Sequence, residues 1–123
     1  MMKTANMPSG RITAQEYFDY CKKTRGGAGR LKLGDRRSLA LMKLHIAVDQ
    51  ERRETAKALG EAHQKSRSEF YRLKGELQQK VDAVADPDMR AIGQRVLEEA
   101  SQSVVMQATY LHRARVMHEA GLA

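Results

Sequence analysis

Small and apolar side chains recur every three or four residues through the middle of this 123-residue chain. That spacing places them on one face of an α-helix, because a helix completes a turn in about 3.6 residues. Strand-forming residues are scarce, and the only adjacent β-branched pair in the body of the chain is Val104-Val105. The sequence therefore predicts an all-α fold. The repeating positions are Leu59, Ala62, Ser66, Phe70, Leu73, Leu77, Val81 and Val84.

The sequence Asp86-Pro87-Asp88 predicts the sharpest boundary in the chain. Aspartate is a favourable N-cap, and proline fits the first position of a helix. We expect one helix over residues 35–85, with a bend near Gly60, a turn at residues 86–88, and a second helix over residues 87–120. Because so short a turn makes the two helices antiparallel, residues 35–123 are predicted to form a long, coiled-coil-like helical hairpin.

Residues 1–34 are predicted to form a separate basic arm. Thr13-Ala-Gln-Glu16 matches a capping box, which favours a short helix over residues 14–24. Residues 25–34 contain four glycines in ten positions, a density that is incompatible with a regular helix. The arm is therefore expected to consist of a short helix followed by a Gly/Arg-rich linker.

Positive charge is concentrated in this arm. Residues 1–37 contain nine Lys and Arg against three acidic residues, a net charge of +6, whereas residues 38–123 contain thirteen against twelve, a net charge of +1. A cationic strip spaced by glycines is suited to following a phosphate backbone, and the sequence predicts nucleic-acid binding without sequence specificity. The candidate residues are Lys22, Lys23, Arg25, Arg30, Lys32, Arg36 and Arg37.

Other interpretations of the arm remain open. Tyr17, Phe18 and Tyr20 are either stacking platforms for bases or part of a core. The charge itself either aids solubility or docks the arm on an acidic protein. In the latter case the chain is a structural or chaperone-like component of a larger machine, such as a virion or a secretion apparatus.

The predicted hairpin leaves apolar surface that needs a cover. Residues 39–48 form its most apolar segment, and the unequal lengths of the two arms leave this segment overhanging. Either the short first helix covers it or another subunit does, so self-association or pairing with a helical protein is expected. The predicted interface residues are Leu39, Met42, Leu44, Ile46, Val48, Phe70, Leu73, Leu77, Val96, Val104 and Leu111.

The motifs of common enzymes are missing from the sequence. The Gly-rich segment lacks the Gly-Lys-Ser/Thr ending of a phosphate-binding loop, and the four histidines do not have metal-ligand spacing. Cys21 has no histidine nearby in the sequence. We expect no enzymatic activity, cofactor, metal or small-molecule substrate, although turnover that depends on Cys21 or one histidine would indicate an enzyme.

The sequence also shapes expectations about location. A single cysteine cannot form an internal disulfide, and the sequence contains neither a long apolar run nor a signal-like start. We therefore expect no membrane association and a location in the cytoplasm or within an assembled particle.

Overall fold

The structure is a computed structural model that describes residues 12–25 and 36–121. These two ranges contain helices and no strand, which confirms the all-α prediction. Most of the predicted linker 25–34, together with Asp35, lies outside the described residues. The four helices are α1 (Ala14–Arg25), α2 (Arg36–Lys65), α3 (Arg67–Asp82) and α4 (Pro87–Glu119).

The predicted continuous helix over residues 35–85 is wrong, because the chain breaks at Ser66 and not near Gly60. Ser66 has extended backbone angles, φ −171° and ψ 159°, which end α2. Its hydroxyl then accepts a hydrogen bond of 3.0 Å from the backbone N–H of Glu69, and so caps the first turn of α3. The predicted long arm is therefore two helices separated by a single residue.

The helix α3 folds back along α2. Ala56 and Thr55 of α2 lie in the same region as Leu77 and Val81 of α3, although a continuous helix would separate Ala56 from Val81 by roughly 37 Å. The chain then turns again at Asp86, whose carboxylate accepts hydrogen bonds from the first turn of α4. As a result, α2, α3 and α4 form a three-helix bundle in which neighbouring helices along the chain run in opposite directions.

The direction of α4 relative to its neighbours follows from the side-chain pairs. Gln78 of α3 and Gln94 of α4 exchange amide hydrogen bonds of 2.6 and 3.1 Å, which fits an antiparallel pair about the Asp86 turn. Arg52 of α2 lies 4.0 Å from Glu99, further along α4. Since α2 and α4 are each antiparallel to α3, these two helices run in the same direction.

Two clusters of buried side chains hold the bundle together, and they lie at opposite ends. The cluster at the end that carries the Asp86 turn joins α1, α2 and α4, and its members include Ile12, Tyr17, Tyr20, Leu41, Leu44, Val48, Met89, Ile92 and Val96. The cluster at the end that carries the Ser66 turn joins α2, α3 and α4 through Leu59, Phe70, Leu97, Ala100 and Val104. We call these the Asp86 end and the Ser66 end.

The short helix α1 covers α2 and α4 at the Asp86 end. Its start is fixed by two side chains, since the backbone N–H of Ala14 donates to Asp88 at 2.9 Å and that of Glu16 donates to Thr13 at 3.1 Å. Tyr17 and Tyr20 are buried against α2. Of the two covers proposed for residues 39–48, the chain's own first helix is therefore the one that the structure shows.

The carboxyl-terminal part of α4 extends past the bundle. Nearly every residue from Val105 to Gly121 is exposed, whereas α2 ends and α3 begins at the Ser66 turn. The helix ends at Glu119, and Gly121, two residues later, has a positive φ of 74°, a conformation that favours glycine. None of the described helices is both long enough and apolar enough to cross a membrane.

Candidate functional site

The described part of the basic region presents its lysines on the surface. Lys22 and Lys23 lie on the last turns of α1, Arg36 opens α2, and all three side chains are exposed. Arg30 and Lys32 lie outside the described residues, as does the side chain of Arg25. The cations that the structure does describe therefore flank residues 26–35 from both sides and point into solvent.

Arg37 differs from the other predicted nucleic-acid contacts, because the chain itself uses it. Its guanidinium donates to both carboxylate oxygens of Glu16, through Nε to Oε2 at 2.6 Å and through Nη2 to Oε1. Such a two-point pair fixes geometry as well as charge. Arg37 thus ties the start of α2 to the start of α1, which sets it apart from the exposed cations among the predicted contacts.

This ion pair makes the docking of α1 depend on pH. The Arg37 guanidinium lowers the pKa of the Glu16 carboxyl below its ordinary value. A carboxyl with a lowered pKa in the folded state stabilises that state above its unfolded pKa of about 4.3, and the contribution disappears as the pH falls. We expect Glu16→Gln to reduce the free energy of unfolding by roughly 0.2–1 kcal/mol at neutral pH, the range of a partly exposed pair.

Urea unfolding of both proteins at neutral pH and at about pH 3 measures this effect. The difference between wild type and Glu16→Gln should shrink toward zero at the lower pH. A difference that is equally large at both pH values would mean that the pair contributes through packing and not through charge.

A polar cluster lies between α1 and α2. The Tyr17 hydroxyl is 3.2 Å from Nδ1 of His45, and Sγ of Cys21 is 3.8 Å from the same nitrogen. Cys21 has no histidine near it in the sequence, but α1 folds back and brings His45 to it across 24 residues, so the expectation that the thiol has no histidine partner is wrong. His45 also contacts Tyr20 edge to face, with the ring centroids 5.7 Å apart.

A cavity of about 320 Å³ adjoins this cluster. The Arg52 guanidinium pairs with Asp49 and approaches Glu99 at 4.0 Å. Arg95 lies over the ring of Phe18, 3.8 Å from its centre, in a cation–π contact. Two arginines and two carboxylates line the cavity, so it carries no net charge that would select an ion.

The aromatic residues of α1 serve packing. Tyr17 and Tyr20 are buried, and burial raises the pKa of each phenol above its ordinary value. Phe18 is half-buried beneath Arg95. Of the two interpretations of these rings, the structure places them in a core, and they are not presented to bases.

Metal-binding side chains do not converge in the described ranges. Within residues 12–25 and 36–121, no three His, Cys, Asp or Glu side chains lie close enough to hold a metal ion.

The predicted interface residues divide into three groups. Five of them pack inside a single chain, namely Leu44, Val48, Phe70, Val96 and Val104. They are core residues of the bundle, because the fold-back at Ser66 and the docking of α1 bury them. The expectation that these five residues form an interface with another chain is therefore corrected. Met42, Leu73 and Leu77 are half-buried, while Leu39, Ile46 and Leu111 remain exposed.

No protein-family model, no curated protein and no solved structure matches this chain.

Proposed function

We propose that this chain is a non-enzymatic assembly protein that binds nucleic acid without sequence specificity through its basic amino-terminal third, while its helices mediate self-association. One observation carries the nucleic-acid part of the proposal. Lys22, Lys23 and Arg36 are exposed on both sides of residues 26–35, a segment whose sequence adds Arg30 and Lys32. The exposure of Lys22, Lys23 and Arg36 supports the proposal that this region contacts an external polyanion.

The proposed binding rests on charge and not on base recognition. Phosphate contacts position a protein on nucleic acid but carry no sequence information. Tyr17 and Tyr20 are buried, so stacking of bases on α1 does not contribute. Binding should then weaken steeply as salt is added, because each neutralised phosphate releases a counterion.

The salt dependence can be tested with the full chain. We expect fluorescence anisotropy with a labelled DNA duplex to give a slope of log affinity against log salt of roughly −4 to −5, if five cations each neutralise one phosphate. A variant in which Lys22, Lys23, Arg30, Lys32 and Arg36 are all changed to glutamine should show a slope smaller in magnitude by about 4 to 5, with Arg25 left to supply what remains. Arg37 is left unchanged because it holds α1.

The matched control removes the same charge from another part of the molecule. It changes Lys57, Lys65, Arg67, Lys74 and Lys80, which lie on α2 and α3, to glutamine. This control should retain the wild-type slope, and an equal loss in both variants would show that only total charge matters. An absence of nucleic-acid binding, with salt-insensitive, stoichiometric binding to a protein partner instead, would favour a structural or chaperone-like component of a larger machine.

A further inference from the structure

The bundle has a groove that α1 does not fill. The helix α1 covers the groove between α2 and α4 at the Asp86 end. On the other side of α2, at the same end, α2, α3 and α4 surround an open groove of about 890 Å³. Its walls are largely apolar, and they include Leu77, Val81, Val84, Met89, Val96 and Leu97. We call this the α2/α3 groove.

The rim of the α2/α3 groove is mainly acidic. Glu51 and Glu54 lie along the α2 side and Asp86 at the end, against Lys80 on the α3 side. An amphipathic helix that carries both apolar and positively charged side chains would satisfy such a groove, because its apolar face meets the walls and its charges meet the rim.

The projecting end of α4 has these properties. Met106, Tyr110 and Met117 are 70%, 72% and 47% exposed. Together with Arg113 they follow the spacing i, i+4, i+7 and i+11, which places all four on one face of the helix. This face is roughly opposite the one that buries Val104 in the core. We call it the outer stripe, and its apolar character is unusual for a solvent-facing surface.

The charges around the outer stripe and the α2/α3 groove are also opposite in sign. The stretch of α4 from Val105 to Glu119 contains Arg113 and Arg115 against one acidic residue, Glu119. The α2/α3 groove has the opposite balance, with three acidic residues and one lysine. The outer stripe and the groove are thus complementary in both polarity and charge.

Both surfaces include part of α4. The groove is lined by α4 only as far as Leu97, whereas the outer stripe begins at Met106 of the same continuous helix, so at their nearest the two surfaces are nine residues, or about 14 Å, apart along α4. Because α4 is continuous between them, one chain is unable to place its own outer stripe in its own groove. A second copy of the chain offers both surfaces in the required positions.

We propose that the projecting end of α4 of one copy docks in the α2/α3 groove of another, with Tyr110 and Met117 against the apolar walls and Arg113 facing Glu51 and Glu54. This inference rests on the self-association part of the proposed function and identifies its interface. Because the two surfaces differ, the contact is head-to-tail, and its repetition from copy to copy generates rings or filaments.

Two variants, each blocked at one surface, test the proposal. Tyr110→Asp with Met117→Asp blocks the outer stripe, and Glu51→Lys with Glu54→Lys reverses the groove rim; all four positions are solvent-accessible, so the fold should survive. By light scattering, the wild-type mass should rise with concentration, and each variant alone should remain monomeric. An equimolar mixture of the two variants should give a dimer and nothing larger, since one functional stripe meets one functional groove.

The control is Tyr71→Asp, which changes an exposed aromatic residue of α3 outside both surfaces and should assemble like wild type. A mixture of blocked variants that stays monomeric would overturn the head-to-tail contact, as would a rim variant that assembles by itself or a wild type that never associates. The monomeric variants should still bind duplex DNA with the wild-type salt slope, so that failure of assembly is distinguished from failure of nucleic-acid binding.

Discussion

Replacing Phe70 with alanine is expected to lower the free energy of unfolding by about 3–5 kcal/mol. Phe70 is 2% exposed, and its ring lies where all three bundle helices meet at the Ser66 end. It packs with Leu59 of α2 and with Leu97 and Val104 of α4. Removing the ring leaves a cavity among residues that hold α3 against both neighbours, and relaxation of a rigid bundle fills such a cavity only in part.

Its neighbour Tyr71 is a natural control. Tyr71 is 61% exposed although it is also aromatic and lies on the same helix. Chemical unfolding monitored by circular dichroism should show a change of about 0.5 kcal/mol or less for Tyr71→Ala. A similar loss for both variants would contradict the fold-back at Ser66, because residues 70 and 71 differ in burial only if α3 packs through one face.

Replacing Tyr17 with alanine should release α1 without unfolding the bundle. Tyr17 is the central contact of α1, since it is buried in the Asp86-end cluster and its hydroxyl meets His45. Removal of a buried ring of this size costs about 3–5 kcal/mol where the element stays in place. A 12-residue helix is not stable in isolation. We therefore expect α1 to unfold in this variant, because the free energy lost with the ring exceeds the free energy that docks α1 on the bundle.

Hydrogen exchange separates this local release from global unfolding. In Tyr17→Ala, the amides of α1 should exchange like those of an unstructured peptide, while those around Phe70 and Leu97 keep their protection. Lys22→Ala, an exposed change on the same helix, should leave α1 protected. Loss of protection throughout α2, α3 and α4 would instead show that α1 belongs to a single cooperative unit.

The helix boundaries that depend on local chemistry were predictable from the sequence. The Thr13 cap, the Asp86-Pro87 start and the Gly121 end each follow from side chains that satisfy or terminate backbone hydrogen bonds within a few residues. The predicted helix over residues 14–24 matches Ala14–Arg25 closely. The helix over residues 87–120 likewise matches Pro87–Glu119.

The sequence contains a helix-capping signal at Ser66, but the apolar repeat continues through it and predicts one long helix. Ser66 and Glu69 have the same spacing as Thr13 and Glu16, and the Ser66 hydroxyl caps α3 as the Thr13 hydroxyl caps α1. Ser66 also falls on the apolar repeat, which runs without interruption from Leu59 to Val84. Two antiparallel helices need the same repeat as one long helix, so the spacing alone does not distinguish them.

The polar cluster at α1 was not predictable, since its members come from distant segments. Cys21 and His45 are brought together by the return of the chain between α1 and α2, and Arg52 and Glu99 by the parallel packing of α2 and α4. Sequence spacing within one helix contains no information about either contact.

The hydrogen bond from Ala14 to Asp88 spans 74 residues and therefore orders events during synthesis. When α1 leaves the ribosome, the residue that satisfies its first amide has not yet been made, and neither has the α4 surface on which it packs. For most of translation, α1 therefore lacks both the partner of its first amide and one of the two helices on which it packs.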